Sequence, residues 1–176
     1  RLTLQRDSGE PFEVEITRRE IDVPSVELEI CQDSACHPVK EKTQGDIAYI
    51  RLSRFGDDTE RLWGIVITQI EERGIEQVVL DVRGNPGGYL LGSINVSQSF
   101  LSRGDVILWE EDGDGKRQAI RADTNGLLAG SEVVVLIDEG SASASEIVAS
   151  ALKDNIKATL LGKKSFGKGT VQDAQD

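Results

Sequence analysis

Three short segments hold the residue types that make and break bonds. In Glu139-Gly140-Ser141-Ala142-Ser143-Ala144-Ser145-Glu146, serines stand where the pattern predicts a strand running into a helix. Backbone N–H groups and the positive end of the helix dipole converge at such a junction and favour a developing oxyanion. The same octapeptide also reads as plain architecture, since Ser143-x-x-Glu146 is a capping box. Its alanines leave room for another stretch of chain to approach, which a cap does not require. The second segment is Lys164-Ser165-Phe166-Gly167-Lys168-Gly169-Thr170-Val171-Gln172. Glycines on both sides of Lys168 let the backbone come close to something and turn the side chain inward. A lysine desolvated in that way loses proton affinity and becomes a general base; an ordinary surface lysine is the plain alternative. The third is Asp81-Val82-Arg83-Gly84-Asn85-Pro86-Gly87-Gly88, where paired glycines either aim backbone N–H groups at a substrate carbonyl or simply make a tight turn.

Two nucleotide readings fail on spacing. Gly162 and Gly167-Lys168 imitate a phosphate-binding loop, but Gly169 stands where a serine or threonine should hold magnesium. Gly84-x-x-Gly87-Gly88 does not match the dinucleotide fingerprint. A Ser-His-Asp triad would need His37, the single histidine. Cys31 and Cys36, the two cysteines, are too few for a four-cysteine or two-cysteine, two-histidine zinc site within the chain. They leave open a metal site completed from outside, a local disulfide, or two free thiols; a disulfide would favour an oxidising compartment. With 31 acidic against 20 basic side chains the net charge is −11, which argues against nucleic acid or an anionic membrane as partner. The longest apolar run, Val133 to Ile137, is far shorter than the ~20 residues that span a bilayer.

The elements that must position these segments follow from periodicity. Residues 1–22 alternate as a hairpin about Asp7-Ser8-Gly9-Glu10-Pro11. Residues 23–44 read as a connection with a strand at Val26–Ile30. A strand over Ile47 to Leu52 leads to a helix over Thr59–Arg73 ended by Gly74, and then to a buried strand over Gln77–Val82 entering the glycine turn. A helix over Tyr89–Leu101, a hairpin over Val106–Arg121, a strand over Glu132–Asp138, a helix over Ser143–Asp154 and a strand over Ala158–Leu161 complete the pattern. Strands alternating with helices imply an α/β core with parallel pairing. The chain opens on Arg-Leu-Thr-Leu and holds no methionine, as expected of a piece of a longer protein.

Taken together and in this order, Asp81–Gly88, Gly140–Ile147 and Ser165–Gln172 closely resemble the C-terminal processing peptidases, also called tail-specific proteases. The resemblance runs from about Gly45 to Gln172, and weakly upstream. It implies a ClpP/crotonase-like ββα core with a residual β-hairpin from a PDZ domain at 1–22, a connecting segment at 23–44, and a peptidase core at 45–176, shortened at its C-terminal end. It implies Ser143 as nucleophile, Lys168 as general base and Gln172 as the residue that orients the lysine. The backbone of Gly87, Gly88 and Ala144 would supply the oxyanion donors, and Asp154 would be structural or supporting. The implied activity is serine endopeptidase cleavage of polypeptides near apolar C-termini, without cofactor or metal, and with an oligomer or regulatory partner possible. The implied place is the bacterial periplasm or cell envelope, or a chloroplast lumen. A Ser/Lys dyad needs no histidine, which suits a chain whose one histidine lies outside all three motifs. The rival readings are a catalytically inactive peptide-binding domain on the same fold, an inactive truncated piece of the protease, and, by fold analogy alone, acyl-CoA chemistry.

Overall fold

The structure, a computed structural model, describes residues 1–7, 9–17, 23–32, 35–39 and 46–170. Strands β1 (Leu2–Leu4) and β2 (Phe12–Val14) pair antiparallel, as the alternation near the start predicts. The order continues β3 (Val26–Gln32), β4 (Ala35–Pro38), β5 (Ile47–Leu52), α1 (Thr59–Glu72), β6 (Gln77–Asp81), α2 (Leu90–Gln98), β7 (Val106–Glu111), β8 (Arg117–Arg121), β9 (Glu132–Ile137), α3 (Ala144–Ile156) and β10 (Thr159–Gly162). Six strands form one sheet in the order β10-β9-β6-β5-β3-β4, with β7 and β8 as a separate hairpin. The four strands from β10 to β5 are parallel, while β3 and β4 add antiparallel at the far side. The expected α/β class holds.

One face of this sheet carries unbroken apolar rows. Ile30, Ala48, Val78 and Val133 lie side by side across β3, β5, β6 and β9, and Leu28, Ile50, Leu80, Val135 and Leu160 form the next row. Helix α1 adds Trp63, Val66 and Ile70 to the same core, at the spacing that keeps one helical stripe inward. Helix α3 adds Val148 and Leu152, and α2 adds Val96. Gly74, at φ +63°, takes the left-handed turn that ends α1.

Two readings change. Residues 23–44 do more than connect: β3 and β4 are strands of the central sheet. Ala-Cys-His-Pro is too short to show a period, and its proline argues against a strand except at a sheet edge, where β4 lies. What builds β4 is pairing, with Cys31 directly opposite Cys36 and a disulfide joining them. Helix α2 is also shorter than predicted, because after Gln98 the chain tightens into three-residue turns, Phe100 N–H to Ser97 C=O and Leu101 N–H to Gln98 C=O.

Candidate active site

Strands β6 and β9 are parallel neighbours in register, with Leu80 beside Val135 and Asp81 beside Leu136. Their following loops therefore leave the same edge side by side, the place where open parallel sheets bind ligands. The loop after β6 is the glycine turn; the loop after β9 carries the three serines. Hydrogen bonds lace them together. Ser141 Oγ donates to Val82 C=O at 2.8 Å, and both Ala142 N–H and Ser145 Oγ donate to Asn85 C=O at 3.0 Å. Asp138 accepts from Gly84 N–H at 2.7 Å and from Gly140 N–H at 2.9 Å, and these donors hold its carboxyl below the usual carboxylate range.

Lacing sorts the serines. Ser141 and Ser145 are buried and spend their hydroxyls on carbonyls of the glycine turn. Ser143 is half-buried and reaches a groove. Its backbone sits at φ +55°, ψ −114°, a region that costs a residue with a Cβ roughly 1–3 kcal/mol. The turn comes close enough to hold it there: a Cβ on Gly87 would stand 2.7 Å from Ala142 O and 2.9 Å from Ser143 Cβ. The small residues around Ser143 thus make room for the chain's own glycine turn.

The groove comprises two adjoining cavities of about 560 and 590 Å³ that share Leu108, Trp109, Ser143, Ile147, Lys168 and Gly169. Its walls are mainly apolar, and Trp109 is largely exposed. Ser143 and Lys168 both line this groove. Lys168, however, is exposed instead of packed inward, because its segment lies on the surface and is tied down through backbone groups. Phe166 N–H donates to Ser141 C=O at 3.0 Å, and the N–H groups of Gly167 and Lys168 donate to Glu146 at 2.7 and 2.9 Å. Burial works against ionising Glu146, but the Ser165 hydroxyl and the N–H groups of Lys168, Gly167 and Ser143 outweigh it and lower its pKa.

The expected oxyanion donors separate. Gly87 N–H already donates to Asn85 Oδ1 at 2.9 Å, so it is committed within the turn. The bridge between the turn and Phe55 uses Gly87 C=O and Tyr89 N–H, and so leaves out the N–H of Gly88. Ala144 opens α3, where N–H groups have no acceptor within the helix. Asp154 lines the groove but lies in the last turn of α3, about 16 Å along the axis from Ser143. Gln172 lies outside the described residues.

The chain matches the model of peptidase family S41 over residues 46–176. It belongs to that family. The chloroplastic C-terminal processing peptidase of Tetradesmus obliquus is 33% identical over 166 residues, covering 93% of this chain and 35% of that protein. The carboxy-terminal-processing protease of Bartonella bacilliformis is 36% identical over 174 residues, covering 96% and 40%. The solved photosystem II D1 C-terminal processing protease superposes with a TM-score of 0.75 at 31% identity, covering 93% of this chain and 42% of that one. The chain thus spans less than half the length of these relatives. No helix among the described residues is long and apolar enough to cross a membrane.

The motifs led to Ser143 and Lys168 but not to the residues that hold them. Asn85 joins both loops and Leu52, and is fully buried. Glu146 showed only as the far end of a capping box, and Asp138 as the end of a strand. Their long-range partners leave no trace in local spacing.

Proposed function

We propose that this S41 chain is the catalytic part of a serine endopeptidase that cleaves polypeptides near apolar C-termini. The observation that carries the reading is the strained backbone of half-buried Ser143, which lines a groove together with Lys168. A cap needs no strain, and Ser141 and Ser145 already meet the structural need for hydroxyls.

In the reaction, a polypeptide fills the groove beside Ser143 and Lys168. Lys168 Nζ accepts the Ser143 hydroxyl proton as Oγ attacks the peptide carbonyl. The oxyanion is met by Ala144 N–H and Gly88 N–H, with Gly87 shaping the turn that brings them together. The C–N bond then breaks, the lysine ammonium returns its proton to the leaving amine, and water hydrolyses the acyl-enzyme on Ser143. Gln172 orients Lys168 through a neutral amide, which avoids the charge of a carboxylate. The apolar walls around Leu108, Trp109 and Ile147 suit an apolar side chain of the substrate. The hairpin of β1 and β2 is the end of a PDZ domain in this reading, and the setting is exported, a bacterial envelope or a chloroplast lumen. The disulfide supports the oxidising setting.

The test is incubation of an unfolded protein with an apolar C-terminus, followed on gels. Cleavage by the wild type, abolished in Ser143→Ala and in Lys168→Ala with folding intact, is expected. Undiminished cleavage by either variant rejects the dyad.

A further inference from the structure

Glu146 receives more than a capping box supplies. A box provides one bond, from the N-cap N–H to the carboxylate three residues on, and here it is Ser143 N–H to Oε2 at 2.9 Å. Three further donors come from a segment about twenty residues later. Lys168 N–H reaches the same Oε2 at 2.9 Å, while Ser165 Oγ and Gly167 N–H both reach Oε1 at 2.7 Å. The backbone nitrogens of Ser143 and Lys168 are thus bonded to one oxygen atom.

We propose that Glu146 is a positioning residue for the Ser143 and Lys168 pair, fastening the lysine segment to the first turn of the serine helix. The assignment rests on the peptidase reading for its catalytic meaning. A carboxylate is the one side chain whose two oxygens only accept, and so can take four donors at once. Lys168 is flanked by glycines, which do little to restrict its backbone, and Phe166 is 70% exposed and anchors little. Among the described residues, the Glu146 bonds and Phe166 N–H to Ser141 C=O are what hold the lysine backbone in place. The carboxylate does this without pairing with the amine: among the described residues, no ion pair joins Lys168 Nζ to Glu146. The lysine nitrogen is left for the serine. Ser143 N–H is pinned by the same group, which helps hold its unfavourable φ.

Glu146→Gln is the informative variant, because it keeps shape and replaces one acceptor oxygen with an NH₂ that faces two donors. Kinetics of polypeptide cleavage and amide exchange at Gly167 and Lys168 are measured together on the intact protein. The variant is expected to lower kcat about 100-fold with KM changed by less than about threefold, the signature of lost alignment. Exchange at both amides is expected to speed up. Glu139→Gln weakens an exposed contact with Lys163 and is expected to leave kcat unchanged. Should Glu146→Gln fail to fold, Glu146→Asp keeps the charge but shortens its reach; it is expected to give faster exchange and lower kcat. A kcat within about threefold of wild type in a folded variant, or unchanged exchange, overturns the proposal. If the wild type itself is as inactive as Ser143→Ala, the peptidase reading has failed, and the exchange data alone uphold or overturn the fastening.

Discussion

At the scale of single residues, chemistry and architecture divide among neighbours of the same type. Ser141→Ala removes a hydroxyl that donates to Val82 C=O and accepts from Asp138 N–H at 3.0 Å; Ser145→Ala removes one of two donors to Asn85 C=O, the other being Ala142 N–H. The first leaves Asp138 N–H without that acceptor and should cost about 1–3 kcal/mol in urea unfolding, and the second, the loss of one hydrogen bond, about 0.5–1.5 kcal/mol. Cleavage should survive in both, unlike in Ser143→Ala. Gly87→Ala should do harm of another kind. Its φ of +97° already disfavours a side chain, and the new Cβ would meet Ala142 O, Ser143 Cβ and Ala144 N. The expected result is a loss of about 2–3 kcal/mol together with most of the activity, because the atoms displaced belong to the turn that carries Ser143, the proposed nucleophile. A Gly87→Ala variant as stable and active as wild type would show that the turn does not press on Ser143.

At the scale of elements, the site depends on two parallel strands ending level and on loops that bond to each other. The disulfide hairpin lies elsewhere. β4 is at one edge of the sheet, and β9 and β10 are at the other. Cys31 and Cys36 are five residues apart, so the cross-link restrains a short loop and should contribute roughly 2 kcal/mol. Reducing it, or replacing both cysteines with serine, should lower Tm by about 4–8 °C while kcat stays near that of the oxidised protein. A large loss of kcat on reduction, without unfolding, would mean that this edge of the sheet communicates with the groove.

Across the whole molecule, one buried carboxylate ties strands to the glycine turn. Asp81, 1% exposed, pairs with Arg51 from β5 at 2.8 Å and with Arg83 from the turn at 2.7 Å, and accepts from Tyr49 Oη at 2.6 Å. Burial opposes its charge, but these partners prevail and bring its pKa from the ordinary 3.8 to about 2. A carboxylate held lower in the folded state stabilises fully above its unfolded value, and that contribution fades as pH falls through the folded one. The depression is worth about 2 kcal/mol above pH 4. Asp81→Asn should therefore lose about 2 kcal/mol or more at pH 7, with the gap to wild type closing as pH approaches 2. A gap independent of pH would assign the loss to packing instead of charge.

Composition, spacing and period were enough for the α/β class and for most of the order of elements, while the family resemblance of the three motifs pointed to Ser143 and Lys168, which both line the groove. Strand alternation and helical stripes are local patterns, and the three motifs occur in chain order. Local pattern could not reveal β4, which exists because Cys31 and Cys36 face each other across a pair of strands. Nor could it tell what each of the three serines, two residues apart, bonds to, since each has the same chemistry and nearly the same neighbours. That is decided by the glycine turn, over fifty residues away in the chain: it takes the hydroxyls of Ser141 and Ser145 for its carbonyls and lies against Ser143 in its strained, half-buried position. The exposure of Lys168 and the four bonds to Glu146 belong to the same class, because burial and hydrogen-bond partners are set by what folds against a residue and not by what flanks it.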